Sequence, residues 1–145
     1  MQSIIIKQIR FRGAFLNFTF SAFVHQFRYL KINTMSSKVF KLPIHYFDRK
    51  LHVVVDQHWE KLLPLYGNYS IQNYSTWSAG AFTTKKGDYL ICFRNPTPGE
   101  IAHEVTHILH MLYEEHGYSV NQNNDEMFCY MLGHFVNKIY EKVTT

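Results

Sequence analysis

The residues with the clearest capacity for chemistry lie together at His103-Glu104-Val105-Thr106-His107. Two residues four apart share one face of a helix, about one turn apart, so both imidazoles can reach a single metal ion. Glu104, beside the first of them, projects toward the open coordination position, where it can accept a proton from bound water. Zinc suits neutral imidazole, and a catalytic zinc needs only three protein ligands. With 9 His in 145 residues, random order gives about 0.03 matches to this pattern. The plain alternative is an amphipathic helix whose histidines face solvent.

A third ligand is required, and downstream the candidates are His110, His116, Asp125, Glu126 and His134. His110 lies about 10 Å along the axis from His103, and three ligands on one straight row do not converge, so a surface or supporting role suits it. A metzincin would need Gly at His110 and His at Tyr113, and fails at both. Glu126 is favoured: it follows His107 by 19 residues, on the opening turn of the next helix. A turn at Gly117 lets the two helices pack antiparallel, and the carboxylate then completes a His, His, Glu set. Asp125 is the alternative ligand, and a capping-box role three residues after Asn123 is the structural reading of Glu126. Tyr130 and His134, one and two turns beyond Glu126, are candidates to steady an oxyanion, with helix packing as the ordinary role for both.

The elements that must position these groups are marked along the chain. Thr97-Pro98-Gly99-Glu100 combines a capping box with proline at the first helical position, and Gly117 supplies a stop. The first helix is therefore expected from about Pro98 to His116, with Ile101, Val105, Ile108 and Leu112 as its apolar stripe and Leu109 and Met111 widening it. A second helix is expected from near Asn123-Asn124-Asp125-Glu126 to about Val143, its acidic start and Lys138 and Lys142 suiting the helix dipole. Upstream, Leu51–Asp56 reads as a strand and His58–Tyr66 as a short helix limited by Pro64 and Gly67. Ala79–Thr84 and Asp88–Arg94 read as a hairpin around Lys85-Lys86-Gly87. Cys92 and Cys129 read as buried small hydrophobes, and Trp59 and Trp77 as core or groove wall.

Composition narrows the class. A chain of 145 residues that is 46% hydrophobic can bury one core unaided. No uninterrupted apolar run is long enough to span a bilayer. Two cysteines outside any CxxC pair exclude a disulfide-rich scaffold and give no support for a thiolate zinc site. The formal charge of +4 is misleading as a signature of nucleic-acid binding. Residues 1–34 hold five basic residues and no acidic one, whereas residues 35–145 hold 10 basic and 11 acidic, a net of −1. The body is thus slightly acidic, and no nucleic-acid partner is expected. Residues 1–34 are read as a basic, Phe-rich extension: a signal or transit segment, an added hairpin or helix, or sequence upstream of a start at Met35.

The helix bearing HEVTH, followed by one bearing Glu, resembles the gluzincin-type zincin metallopeptidases. More narrowly, Pro98–Tyr140 looks like small HExxH proteins of tailed phages, which share an NDE-type start, an aromatic and a glycine. These are matched here by Asn124-Asp125-Glu126, Tyr130 and Gly133. The larger gluzincins' NExxSD-type pattern is only partly present. The resemblance implies zinc held by His103, His107 and Glu126, with Glu104 as general base. It also implies a strand before the helix whose free edge takes extended peptide, here Asp88–Arg94.

The expectation is therefore an α+β fold, a minimal zincin-type domain over 35–145 with a small, mostly antiparallel sheet on the HExxH helix and a C-terminal helix. Its activity would be zinc-dependent hydrolysis of a peptide or protein substrate, in the cytoplasm, that of a host cell if the chain is phage-encoded. The rivals are a non-catalytic zinc-binding interaction module and a SprT-like DNA-associated protease. The latter usually takes a downstream histidine as third ligand and often adds a cysteine zinc ribbon, and neither is evident.

Overall fold

The computed structural model describes residues 37–122 and 125–145. The extension 1–34 and the Asn123-Asn124 start expected for the second helix lie outside the described residues. Four strands form one sheet in the order β1-β2-β4-β3: β1 Lys38–Ile44, β2 Arg49–Val55, β3 Ala79–Thr83 and β4 Tyr89–Phe93. β1 and β2 pair antiparallel, as do β3 and β4, but the central pair β2 and β4 runs parallel, with Val53 opposite Ile91. The sheet is thus mixed rather than uniformly antiparallel. A parallel pair needs a long crossover, and residues 56–88 supply it through a 3-10 turn (Trp59–Lys61), the four-residue helix α1 (Leu63–Tyr66) and β3. Pro64 sits in the first turn of α1 and Gly67 ends it, and the single short helix expected over His58–Tyr66 is a 3-10 turn followed by this separate helix.

β4 is where the sequence expectation fails most instructively. Asp88–Arg94 was expected at an edge, yet every residue of Tyr89–Phe93 is buried and the strand has a neighbour on each side. Its run of apolar residues is what a strand covered on both faces requires. Among the described residues the edges are β1 and β3. Pro43 sits in β1, where an edge strand tolerates a missing donor.

One face of the sheet carries Leu51, Val53, Val55, Ile91 and Phe93 and is covered by two helices, α2 (Pro98–Glu115) and α3 (Asp125–Thr144). The other carries Val54, Leu90 and Cys92 under Trp59, Leu63 and Phe82 of the crossover. Trp59 is therefore core, whereas Trp77 is exposed. Cys92 is buried as expected, but Cys129 lies on the exposed side of α3. No described helix is long and apolar enough to cross a membrane.

Candidate metal and hydrolytic site

The ends of α2 are fixed by local chemistry. The Thr97 hydroxyl accepts from the Glu100 N–H at 3.2 Å, and the Glu100 carboxylate accepts from the Thr97 N–H at 3.0 Å. That reciprocal box, with Pro98 inside the first turn, starts the helix. At the far end Gly117 adopts φ +71°, its N–H reaches Glu114 O at 3.1 Å, and the Tyr118 N–H reaches Tyr113 O at 2.8 Å. This is a Schellman motif, and the Tyr113 and Tyr118 rings, 5.9 Å apart, supply its apolar contact. The C-terminal half is also tied to the sheet, because Glu115 accepts from both the Tyr89 hydroxyl and the Arg49 guanidinium.

Between these ends the helix buries Ile101, Val105, Ile108, Leu109 and Leu112 and leaves His103 and His107 exposed. The two imidazoles converge: their Nε2 atoms are 3.1 Å apart and the rings stand at 81°. Two ligands at about 2.05 Å from one ion, about 100° apart, have donor atoms separated by roughly this distance. The same separation is that of a hydrogen bond between the two rings, so the pair is held together without a metal at a spacing that a shared ion also suits.

Glu104 lies on the buried flank of the same turn, only 7% exposed. Glu60 is the other buried carboxylate among the described residues, and it is compensated by Arg94 at 3.1 Å and by His58 at 3.7 Å. Glu104 makes no hydrogen bond or salt bridge among the described residues. Its oxygens still touch solvent, since the wholly buried unpartnered polar atoms are Arg49 Nε, His52 Nδ1 and Trp59 Nε1. Burial pushes its carboxyl above the ordinary range; His103 opposes that rise and Glu100 adds to it. A carboxylate so placed is a stronger base than one in water.

Among the described residues, none of the remaining expected ligands joins this pair in a metal-binding group. Glu126 lines a cavity with Tyr46, Phe47, Tyr113, Tyr118 and Met127. Tyr113 is six residues beyond His107, about 9 Å further along the axis. The physical reason is the docking of α3. Phe128 packs on His110 at 5.1 Å and Tyr113 at 5.5 Å, which sets the first turn of α3 level with the end of α2 rather than with the imidazoles. Tyr130 is 76% exposed, and the ring contact of His134 is with its neighbour Phe135. Asp125 and His116 join no metal-binding group either: among the described residues no set of three His, Cys, Asp or Glu is assembled. His110 is exposed, as expected.

Two features were missed in the sequence. β1 escaped notice, although Phe40, Leu42 and Ile44 alternate with Lys41 and Pro43. The edge flanking the site is β3, not β4. Arg94 N donates to Ser78 O at 2.8 Å and Thr84 N to Asp88 O at 2.7 Å. By the alternation of antiparallel pairs, Ala79, Ala81 and Thr83 direct their N–H and C=O groups away from β4. Tyr69 caps the outermost of these by donating to Thr83 O. Compared with family models, curated proteins and solved structures, the chain matches none.

Proposed function

We propose that this chain is a zinc-dependent hydrolase, a metallopeptidase in which Glu104 is the general base. The observation that carries the reading is the pairing of two convergent imidazoles with a buried carboxylate that has no hydrogen-bond or ion-pair partner among the described residues. Buried carboxylates are ordinarily partnered, and one that is not, beside a ligand pair, is a functional signal. His103 and His107 would supply two of the ion's ligands, and among the described residues no third His, Cys, Asp or Glu joins them. When bound, zinc supplies a Lewis acid that polarises a carbonyl and lowers the pKa of water.

The chain's own groups do the rest. Glu104 takes a proton from the attacking water and returns it to the leaving amine, its raised basicity suiting the first step and its buried setting the second. The N–H and C=O groups of Ala79 and Ala81, unpaired among the described residues, offer an extended substrate a strand to pair with, beside the helix that carries the base. Small side chains there leave room for the approach.

The test is hydrolysis of a peptide library by the purified chain. Activity should vanish on chelation and return with zinc; turnover indifferent to chelators, or none with zinc supplied, overturns the reading. Glu104→Gln separates the rival interaction module, which would keep its zinc and its partner.

A further inference from the structure

The cavity beside Glu126 has no part in the hydrolytic reading, and its chemistry is distinctive. It measures about 550 Å³, and four of its six lining residues are aromatic: Tyr46, Phe47, Tyr113 and Tyr118. Met127 is the fifth, and Glu126 is the sole charged one among the described lining residues. We propose that it binds an alkylated ammonium group, the trimethylammonium head of a small molecule or of a modified side chain.

The rings do not stack. Phe47 and Tyr113 are tilted by 46° at 6.5 Å, and Tyr113 and Tyr118 meet edge-on at 60° and 5.9 Å, so the rings brace one another without stacking face to face. The frame is held from both sides. Phe47 is braced by the His116 ring at 4.6 Å, and Tyr118 is set by the Schellman turn at Gly117. Yet Tyr46 is 82% exposed and Tyr118 59%, a large amount of aromatic surface left in water around an open cavity.

Charge decides the occupant. Aromatic faces are electronegative and attract cations, and Glu126 adds a formal negative charge, with no Lys or Arg among the described lining residues. An anion is repelled twice over. A neutral apolar ligand would strip water from Glu126 and give nothing back. A primary ammonium gives up a strong hydration shell to enter a largely apolar site. An alkylated ammonium meets the aromatic faces with methyl groups and the carboxylate with charge, at a small desolvation cost.

The experiment is titration of the full chain, followed by NMR or calorimetry, with choline, its neutral isostere 3,3-dimethylbutan-1-ol, and a peptide carrying Nε-trimethyllysine. Choline or the peptide should bind saturably and about tenfold or more tighter than the isostere. Preference for the peptide identifies a protein side chain as the source, and equal or better binding of choline identifies a small molecule. Glu126→Gln should weaken binding several-fold, and Tyr118→Ala by about tenfold. Both positions are exposed, and Glu126→Gln leaves untouched the Tyr113–Tyr118 contact that Tyr118→Ala removes, so it is the variant that separates binding from a local change at the α2 stop. Equal binding of the isostere, no saturable binding, or indifference to both substitutions overturns the proposal.

Discussion

The two halves of α2 present opposite chemistries on one continuous helix. Toward its start lie two solvent-facing imidazoles and a buried, uncompensated carboxylate; at its end lies an aromatic cavity with a carboxylate at its side. The first depends on spacing within a single turn, the second on how the β1–β2 turn, the Gly117 stop and α3 meet in space. Local geometry can be read from a sequence with few assumptions, and tertiary geometry cannot. Glu126 is where the two cross: its spacing places it with the histidines, and the docking of Phe128 places it with the tyrosines.

The sharpest way to break the comparison is at Glu104. Replacing it with Gln should cut peptide hydrolysis by about a hundredfold or more while zinc binding persists, because the imidazoles keep their helix. Hydrolysis that survives the change would leave this half of α2 with no chemistry to contrast. Nearly as large is the expected effect of Leu109→Ala, a fully buried residue midway along α2. It should cost about 2–5 kcal/mol in denaturant unfolding, whereas Glu126→Gln, on an exposed position, should change stability by less than about 0.5 kcal/mol.

Much of the fold was legible because its signals were local. The capping box at Thr97, the stop at Gly117 and the hairpin around Gly87 all appear where their residues require. The coarse α+β class follows from those elements. The parallel pairing of β2 with β4 was not legible, because nothing in LHVVVD or DYLICFR states which strand lies beside which. The same ignorance put β4 at the edge. At the site, His103, Glu104 and His107 could be placed by helix periodicity alone. Periodicity says nothing of where Glu126, Tyr130 and His134 lie relative to these, because that depends on the axial offset of α3 against α2, which side-chain packing sets.

Smaller effects sharpen how the two halves are held. Tyr89→Phe removes the hydroxyl that Glu115 accepts from and should cost about 1 kcal/mol, loosening the C-terminal half and leaving the imidazole pair untouched. The smallest effect is on pH dependence. Hydrogen bonds from Tyr89 and Arg49 hold the Glu115 carboxyl below its ordinary 4.5. A depressed folded-state value contributes stability that is complete above the ordinary value and is lost as pH falls below it. Glu115→Gln should therefore flatten the acid limb of a stability–pH profile below about pH 4.5, with little change in its slope near neutrality; an unchanged acid limb would show that Glu115 does not tie α2 to the sheet in solution.

The most direct measurement is zinc content by elemental mass spectrometry on three proteins: the native chain, the His103→Ala His107→Ala variant, and Glu126→Gln. The account predicts about one zinc per native chain, none in the double variant, and undiminished zinc in Glu126→Gln. Zinc lost from Glu126→Gln would return that carboxylate to the metal and contradict the separation of the two halves of α2. No zinc in the native chain, even after zinc is supplied, would contradict the metal site itself.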